Sequence, residues 1–286
     1  MPLQGPVNVN VDDPPYFESI QELDKWSSRP PPRLNGLLPY IPRSAPSEDS
    51  RRGKLLVCHD YKGGYKDTPD AFSYTFNFWQ FTDIFVYFSH HRVTVPPPGW
   101  VNASHRQGTL MLGTLIFEGS AEDDCLRLVS GPTSLPGTQY VSPHYARVLA
   151  QLAYQRGFDG YLLNFECRLP GGLSQSRALT TWVAILDHEL KRTIGEHAEC
   201  VWYDSVIIDG SLRWQNRLNS LNLPYFPPSS SFFTNYSWPT SYPLLTVQYF
   251  LSLDPDEDPA KGLNDLYFGV DVWEEGSHGA GALGVR

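Results

Sequence analysis

The stretch that decides the fold of this chain is GFDGYLLNFE, residues 157–166. Its apolar segment runs into an amide, Asn164, and then into a carboxylate, Glu166, two positions later. Side chains on a strand alternate between the two faces of a sheet, so Asn164 and Glu166 point to the same side. A polar pair at the C-terminal end of a buried strand is typical of α/β barrels, which carry their functional residues at that end.

Similar short apolar runs recur along the chain, and most of them end in polar or aromatic residues. Such continuous runs are typical of strands that are buried on both faces. The predicted strands are Leu55–Cys58, Phe81–Phe88, Thr109–Phe117, Gly160–Phe165, Glu199–Tyr203, Ser231–Thr234 and Asp265–Val272.

Helical patterns lie between several of these runs. Pro143–Arg156 follows Ser142 as N-cap and ends at a glycine, and Ser176–Ile194 carries apolar residues at helical spacing. Alternating strands and helices predict parallel pairing. An open doubly wound sheet is one solution, but polar strand ends favour an α/β fold of the (β/α)₈ TIM-barrel type, truncated after the seventh strand.

The domain organisation follows from changes in composition. Residues 1–52 are rich in Pro, Ser and charge and predict an extended leader, with a short helix at Ser19–Trp26. Residues 53–275 form the predicted catalytic barrel, in which no eighth strand is predicted, and residues 276–286 form a Gly-rich tail.

Composition excludes several classes of protein. The net charge of −9 argues against a nucleic-acid partner, which requires basic surface. The four cysteines form no C-x-x-C motif, so we expect reduced thiols, no metal site and no cofactor. The start, MPLQGP, lacks a basic and apolar signal, and no run approaches about eighteen apolar residues. We therefore expect a cytosolic protein without a membrane span.

The Asn164–Glu166 pair suits one kind of sugar hydrolysis. Most glycosidases use two carboxylates, but substrate-assisted enzymes use one acid and let the 2-acetamido group of the sugar attack. Glu166 is the acidic residue clearly directed at the pocket, because Asp159 lies at the other end of the strand. Asp204, one strand away, remains a competing carboxylate. The plain structural alternative is that Asn164 and Glu166 cap the strand or pair with an arginine.

At this point the chain resembles a known family. GFDGYLLNFE is similar to the catalytic motif of cytosolic endo-β-N-acetylglucosaminidases, family 85 of the glycoside hydrolases. Other strand-end stretches resemble the family in the same order: HDYKGGY from His59, LGTLIFE ending at Glu118, WYDS from Trp202, WQN from Trp214, FFTNYSW from Phe232, and YFGVDVW ending at Trp273.

The resemblance implies an activity and a set of site residues. The family cleaves the N,N′-diacetylchitobiose core of N-glycans and leaves one N-acetylglucosamine on the protein. Glu166 is then the general acid and base, Asn164 orients the acetamide, and Tyr203 assists it. The implied substrate-binding residues are His59, Glu118, Trp214, Asn235, Tyr236, Trp238 and Trp273.

Three other interpretations remain open. A truncated, catalytically impaired protein binds glycans or is vestigial. A chitinase-like enzyme is a second alternative, although such enzymes typically carry several acidic residues on one strand. His59-Asp60 also resembles metal phosphohydrolases, but His90, His91 and His105 lack convincing partners for such a site.

Overall fold

A computed structural model describes residues 14–43, 53–61, 75–133, 140–254 and 261–272 of the 286-residue chain. The chain divides into two compact units. The first comprises residues 1–116, 146–162 and 189–198, and the second comprises residues 117–145, 163–188 and 199–286. The predicted tail, residues 276–286, and residues 62–65 of the HDYKGGY stretch lie outside the described residues.

The described residues form nine strands and six helices that alternate along much of the chain. In chain order they are β1 (Tyr16–Phe17), α1 (Ile20–Ser28), β2 (Leu56–Asp60), β3 (Ile84–Phe88), β4 (Val93–Thr94), α2 (Pro98–His105), β5 (Leu110–Glu118), α3 (Glu122–Ser130), α4 (His144–Arg156), β6 (Gly160–Glu166), α5 (Gly172–Ile194), β7 (Glu199–Tyr203), β8 (Ser231–Phe233), α6 (Tyr242–Leu251) and β9 (Leu266–Tyr267).

In the first unit the pairing is parallel at its centre. β2 pairs with β3, and β3 pairs with β5, with Val86 opposite Cys58 on one side and Leu112 on the other. The short strands β1 and β4 pair antiparallel with each other, and β4 pairs antiparallel with β5. In the second unit β7 pairs in parallel with β8, and β8 with β9.

All seven predicted strands are confirmed, six of them with shifted ends and Glu199–Tyr203 with the predicted ends. The predicted strand that starts at Phe81 begins only at Ile84 in the structure, because Trp79–Phe81 forms a 3₁₀ turn. The last predicted strand shortens to Leu266–Tyr267. The two-residue strands β1 and β4 were not predicted, since two residues show no period. Helix α6 was not predicted either, because its sequence is apolar on nearly all sides and has no one-sided stripe.

The short helix predicted at Ser19–Trp26 in the leader is confirmed as α1, Ile20–Ser28. Helix α1 buries Ile20, Leu23 and Trp26, and β1 adds the buried Phe17. The boundary at residue 52 stays a prediction, but this segment contributes to the hydrophobic core of the first unit. Among the described residues, no helix combines the length and the apolar character that crossing a membrane requires.

A buried ion pair links the middle of the first unit. His105 Nε2 lies 2.8 Å from Asp159 Oδ2, and both side chains are almost fully buried. His105 Nδ1 lies 2.7 Å from the carbonyl oxygen of Leu38, so that nitrogen must donate. Because the other nitrogen faces a carboxylate, the protonated ring donates from both of its nitrogens. The backbone N–H of Met111 also donates to Asp159, at 2.8 Å.

The pKa values of both partners shift in the direction of the charged pair. Burial alone lowers the pKa of His105, but the hydrogen bond and the charge of Asp159 outweigh it and raise that pKa above its usual value. Burial alone raises the pKa of Asp159, but hydrogen bonds from His105 and His197 outweigh it and lower that pKa. The pair is therefore most stabilising where His105 is protonated and Asp159 is ionised.

The pair predicts a pH-dependent stability. A raised folded pKa at His105 contributes stability below about pH 6.5 and loses it as the pH rises through the folded value. The lowered pKa of Asp159 contributes above about pH 4 and is lost only on acidification. The difference in Tm between the wild type and His105→Gln, measured from about pH 5 to about pH 9, should shrink as the pH rises. A constant difference would contradict a charged pair.

Candidate active site

Strand alternation presents Asn164 and Glu166 together at the end of β6. Phe165, between them, turns to the opposite face, where its ring stacks on that of Trp202 with 5.2 Å between centroids. Trp202 is followed by Tyr203, which must therefore turn back to the face of Asn164 and Glu166. Because β6 and β7 are neighbouring strands, their polar ends share one edge of the sheet.

Hydrogen bonds from Asn164 and Trp214 orient the carboxylate of Glu166. Asn164 Nδ2 donates to Oε2 at 3.0 Å, and Trp214 Nε1 donates to Oε1 at 3.1 Å. Asn164 is 4% exposed, whereas Trp214 is 42% exposed. The acid thus lies between a buried amide and an indole that reaches solvent, a position that a substrate can approach.

The amide of Asn164 is only half satisfied. Within the described part of the chain, its buried Oδ1 atom has no hydrogen-bond partner. A buried acceptor without a partner is unfavourable by about 1–3 kcal/mol, and such atoms are rare in native structures. The geometry therefore leaves an acceptor ready for an N–H donor beside the Glu166 carboxylate.

Tyr203 belongs to a chain of hydrogen bonds in which each donor and acceptor can be assigned in only one way. The backbone N–H of Ser237 donates to Asn216 Oδ1 at 3.1 Å, which identifies that atom as oxygen. Asn235 Nδ2 donates to the same oxygen at 2.8 Å, so Asn235 turns its own oxygen to Tyr203. The Tyr203 hydroxyl donates to that oxygen at 2.8 Å and is held in place by it.

Asp204 does not face the same space as Glu166. Its side chain is completely buried and accepts hydrogen bonds from the backbone N–H groups of Gln215 and Asn216 and from Asn222 Nδ2. Burial raises the pKa of Asp204 to about 6, while hydrogen bonds from Asn222, Asn216, Gln215 and Asn235 oppose that rise. Asp204 is an internal anchor of the loop after Trp214, and the geometry does not favour it as a competing second carboxylate.

The remaining predicted site residues lie in different places. In the second unit, Tyr236 and Trp238 follow β8 and are half-buried, and Trp238 Nε1 donates to the carbonyl oxygen of Gly269 at 2.6 Å. Glu118 ends β5 and is half-buried. His59 belongs to the first unit, where its ring stacks on Tyr61 at 4.3 Å.

Burial lowers the pKa of His59, and the nearby Asp60 opposes that shift. Trp273 lies outside the described residues. Among the described residues, no three His, Cys, Asp or Glu side chains converge in a way that could hold a metal ion.

Sequence reasoning did not identify Asn216 and Asn222 as part of the site. The signal available was the run of asparagines at positions 216, 219 and 222, directly after Trp214. Asparagine side chains favour loops because they bond to nearby backbone, which the pattern alone does not distinguish from an ordinary turn. Their partners, Asp204 and Asn235, are known only from the structure.

Comparison with known proteins assigns the family. A family model described as glycosyl hydrolase family 85 matches residues 59–286. The chain belongs to glycosyl hydrolase family 85.

Among the family 85 relatives, cytosolic endo-β-N-acetylglucosaminidase 2 of Arabidopsis thaliana is 34% identical over 295 residues, which cover 100% of this chain and 38% of that protein. The cytosolic endo-β-N-acetylglucosaminidase of Homo sapiens is 34% identical over 270 residues, with 92% and 34% covered. The chain thus spans little more than a third of the length of these relatives.

A solved structure confirms the predicted α/β barrel-type fold. The glycoside hydrolase domain of Endo-D from Streptococcus pneumoniae R6 superposes with a TM-score of 0.67 at 19% identity, covering 93% of this chain and 43% of that one. The predicted fold class and the family 85 resemblance are both confirmed by these comparisons.

Asn216 allows a direct test of the loop geometry. Its φ of 58° lies in the left-handed region, which asparagine tolerates and alanine does not. Asn216→Ala and Asn216→Gly remove the same side-chain oxygen, but only alanine strains the backbone. Urea unfolding should find Asn216→Ala less stable than Asn216→Gly by about 0.5–1 kcal/mol, after the flexibility of glycine in the unfolded chain is included. Equal stabilities would contradict the left-handed conformation.

Proposed function

We propose that this chain hydrolyses the β-1,4 bond between the two N-acetylglucosamines in the core of N-glycans, with the substrate's own acetamide as nucleophile. The observation that carries the proposal is the buried amide of Asn164. Its Nδ2 atom donates to Glu166, and its Oδ1 atom has no hydrogen-bond partner among the described residues. A lone acid beside an amide acceptor suits a substrate-assisted reaction. Membership of family 85 and the similarity to named endo-β-N-acetylglucosaminidases support the same reaction.

The first chemical step closes a ring on the substrate. The N–H of the 2-acetamido group donates to Asn164 Oδ1, which holds the acetamide under the sugar and increases the electron density on its carbonyl oxygen. That oxygen attacks the anomeric carbon while Glu166, protonated at this stage, gives its proton to the departing glycosidic oxygen. The bond to the second N-acetylglucosamine breaks, and an oxazolinium ion, the protonated form of the oxazoline, remains with its N–H still hydrogen-bonded to Asn164.

In the second step Glu166 acts as a base instead of an acid. The Glu166 carboxylate takes a proton from a water molecule, which attacks the anomeric carbon and opens the oxazoline ring. Two displacements at one carbon restore the original configuration, so the reaction is retaining. Another sugar hydroxyl that replaces water gives a transfer product.

The resemblance and the contacts of the neighbouring groups support the following roles. The Trp214 indole N–H holds one oxygen of Glu166 and leaves its exposed face for a sugar ring. The Tyr203 hydroxyl, held by Asn235, assists at the acetamide. We propose sugar contacts for His59, Glu118, Tyr236, Trp238 and Trp273 on the resemblance, and N-glycans, free or on glycoproteins, as the substrate class. The named relatives are cytosolic, and we propose the same location here.

The decisive experiment is mass spectrometry of a high-mannose glycopeptide incubated with the purified chain. We expect loss of all sugars except one N-acetylglucosamine. An intact glycopeptide that binds the wild type without turnover would instead support the alternative of a truncated, impaired glycan-binding protein. Cleavage of chitin oligomers in preference to the glycopeptide would favour a chitinase-like enzyme.

Glu166→Gln should lower kcat by about 10²–10⁴-fold, because the amide cannot donate and then recover a proton. The matched control is Glu196→Gln, the same change at an exposed carboxylate in the first unit. Turnover of the glycopeptide by Glu166→Gln at the rate of the control would reject Glu166 as the acid.

Asn164→Ala should also abolish glycopeptide hydrolysis while glycan binding is kept, since the side chain acts on the acetamide.

The anomer first released by the wild type, followed by NMR before mutarotation, should be the β form. A released α anomer, or a sugar covalently attached to a protein side chain, would exclude the substrate-assisted route.

A further inference from the structure

A buried carboxylate lies behind the proposed site and has no part in the reaction described above. The side chain of Asp204 is completely buried in the second unit. Its Oδ2 atom accepts from Gln215 N at 3.0 Å and from Asn216 N at 2.6 Å, and its Oδ1 atom accepts from Asn222 Nδ2 at 2.9 Å. All of these donors are neutral amide groups, which replace water but supply no opposite charge.

Keeping this charge buried is unfavourable for stability. Burial raises the pKa of Asp204 to about 6, so above that pH the fold holds an ionised group in a place that favours the protonated one. The contribution of Asp204 to stability therefore decreases as the pH rises from the ordinary carboxyl pKa through the folded value. An apolar residue at this position would leave these N–H donors buried and unpaired, so what the carboxylate supplies to the fold is an acceptor and not a stabilising charge.

The groups that Asp204 holds lead directly to the site. Gln215 and Asn216 follow Trp214 in the chain, so the fork of two backbone N–H groups on one carboxylate oxygen places the loop that carries the indole. The left-handed backbone of Asn216 turns its side chain toward Asn235. Asn235 Nδ2 donates a hydrogen bond to Asn216 Oδ1 at 2.8 Å. Asn235 in turn holds the Tyr203 hydroxyl.

Asn222 closes the loop on the other side of the carboxylate. Its Nδ2 atom donates to Asp204 and to the carbonyl oxygen of Arg217, and its Oδ1 atom accepts from Asn219 N at 2.9 Å. These three bonds determine which end of the amide faces Asp204. An acceptor is therefore required at position 204, and an NH₂ group there would meet donors on every side.

We propose that Asp204 is a positioning residue, whose carboxylate holds the loop after Trp214 so that the Trp214 indole and the Tyr203 hydroxyl are placed for the Asn164–Glu166 pair. This inference rests on the proposed glycosidase function. Asp204 touches neither substrate nor reacting atoms, and acts through the backbone of residues 215–216 and the side chain of Asn216.

The test compares two chemically identical changes in the full-length chain. Asp204→Asn keeps the size of the side chain but turns an NH₂ group toward either Asn222 or the backbone fork. The matched control is Asp187→Asn, because Asp187 also accepts a hydrogen bond in the second unit, from Ser230 Oγ at 2.6 Å. In the described part of the chain, Ser230 bonds to Asp187, Cys200 and Lys261, and these bonds do not lead to Trp214 or Tyr203. Thermal unfolding of both variants reports any general loss of stability.

Kinetics on the glycopeptide separate positioning from a structural role. Asp204→Asn should lower kcat by about 10²-fold with little change in KM, because small misplacement of site groups acts on the transition state. The double variant Asp204→Asn/Asn222→Asp exchanges the amide and the carboxylate, so that the amide at position 204 donates to the new carboxylate and its oxygen accepts from the two backbone N–H groups. The carbonyl oxygen of Arg217 loses its donor in this variant, so the rescue is partial. This variant should recover about tenfold in kcat, whereas Asp187→Asn should keep the wild-type value.

A second readout needs no turnover. The indole ¹H–¹⁵N signal of Trp214, assigned by its absence in Trp214→Phe, reports the bond to Glu166. This signal should shift in Asp204→Asn and stay in place in Asp187→Asn.

The possible results all decide the inference. An unchanged kcat in Asp204→Asn, a loss no larger than that of Asp187→Asn, or an unmoved Trp214 signal would overturn it. If the wild type cleaves no glycopeptide, the proposed function fails, and the Trp214 signal alone then supports or rejects the positioning role.

Discussion

The arrangement of the candidate site depends on one packing constraint, the burial of Phe165 in a column of aromatic rings. Phe117, Phe165, Trp202 and Tyr225 stack one on another, with centroid separations of 4.7, 5.2 and 4.2 Å. Because strand side chains alternate, this column commits Asn164 and Glu166 to the opposite face. A slip of one residue in the register of β6 would bury the amide and the acid among aromatic rings and expose Phe165. The hydrophobic effect on one face thus determines the chemistry on the other.

Two buried aspartates illustrate how surroundings set the charge of a carboxyl group. Asp159 faces His105 and His197, and hydrogen bonds with these rings hold its pKa below the usual value in spite of burial. Asp204 faces only neutral donors among its recorded hydrogen bonds, so burial dominates and its pKa rises. The first arrangement stabilises the first unit directly. The second is unfavourable in itself but holds a loop, which is the expected compromise where function requires a fixed geometry.

The polar groups of the site form two hydrogen-bonded groups within the second unit, which the loop of residues 214–216 joins. Trp214 and Asn164 hold Glu166 from two sides, and Asn235 holds Tyr203. Each hydrogen bond contributes about 0.5–1.5 kcal/mol, but their common effect is to reduce the number of orientations that the side chains adopt. The barrel-type fold is shared with Endo-D at 19% sequence identity. The chain carries this fold although it spans little more than a third of the length of its relatives.

The sequence by itself determined the seven strand cores, the face shared by Asn164 and Glu166, and the family. Those features depend on local alternation and on contiguous motifs, which neighbouring residues carry without help from the rest of the chain. Only the tertiary structure decided that the edge of Trp214 donates to Glu166, that Asp204 is an anchor, and that Asn216 links two loops. These contacts join residues 48, 11 or 12, and 19 positions apart, and their geometry exists only after the strands have assembled. The spacing of residues along the sequence does not predict such contacts, because each contact depends on the paths of two separate segments of the chain.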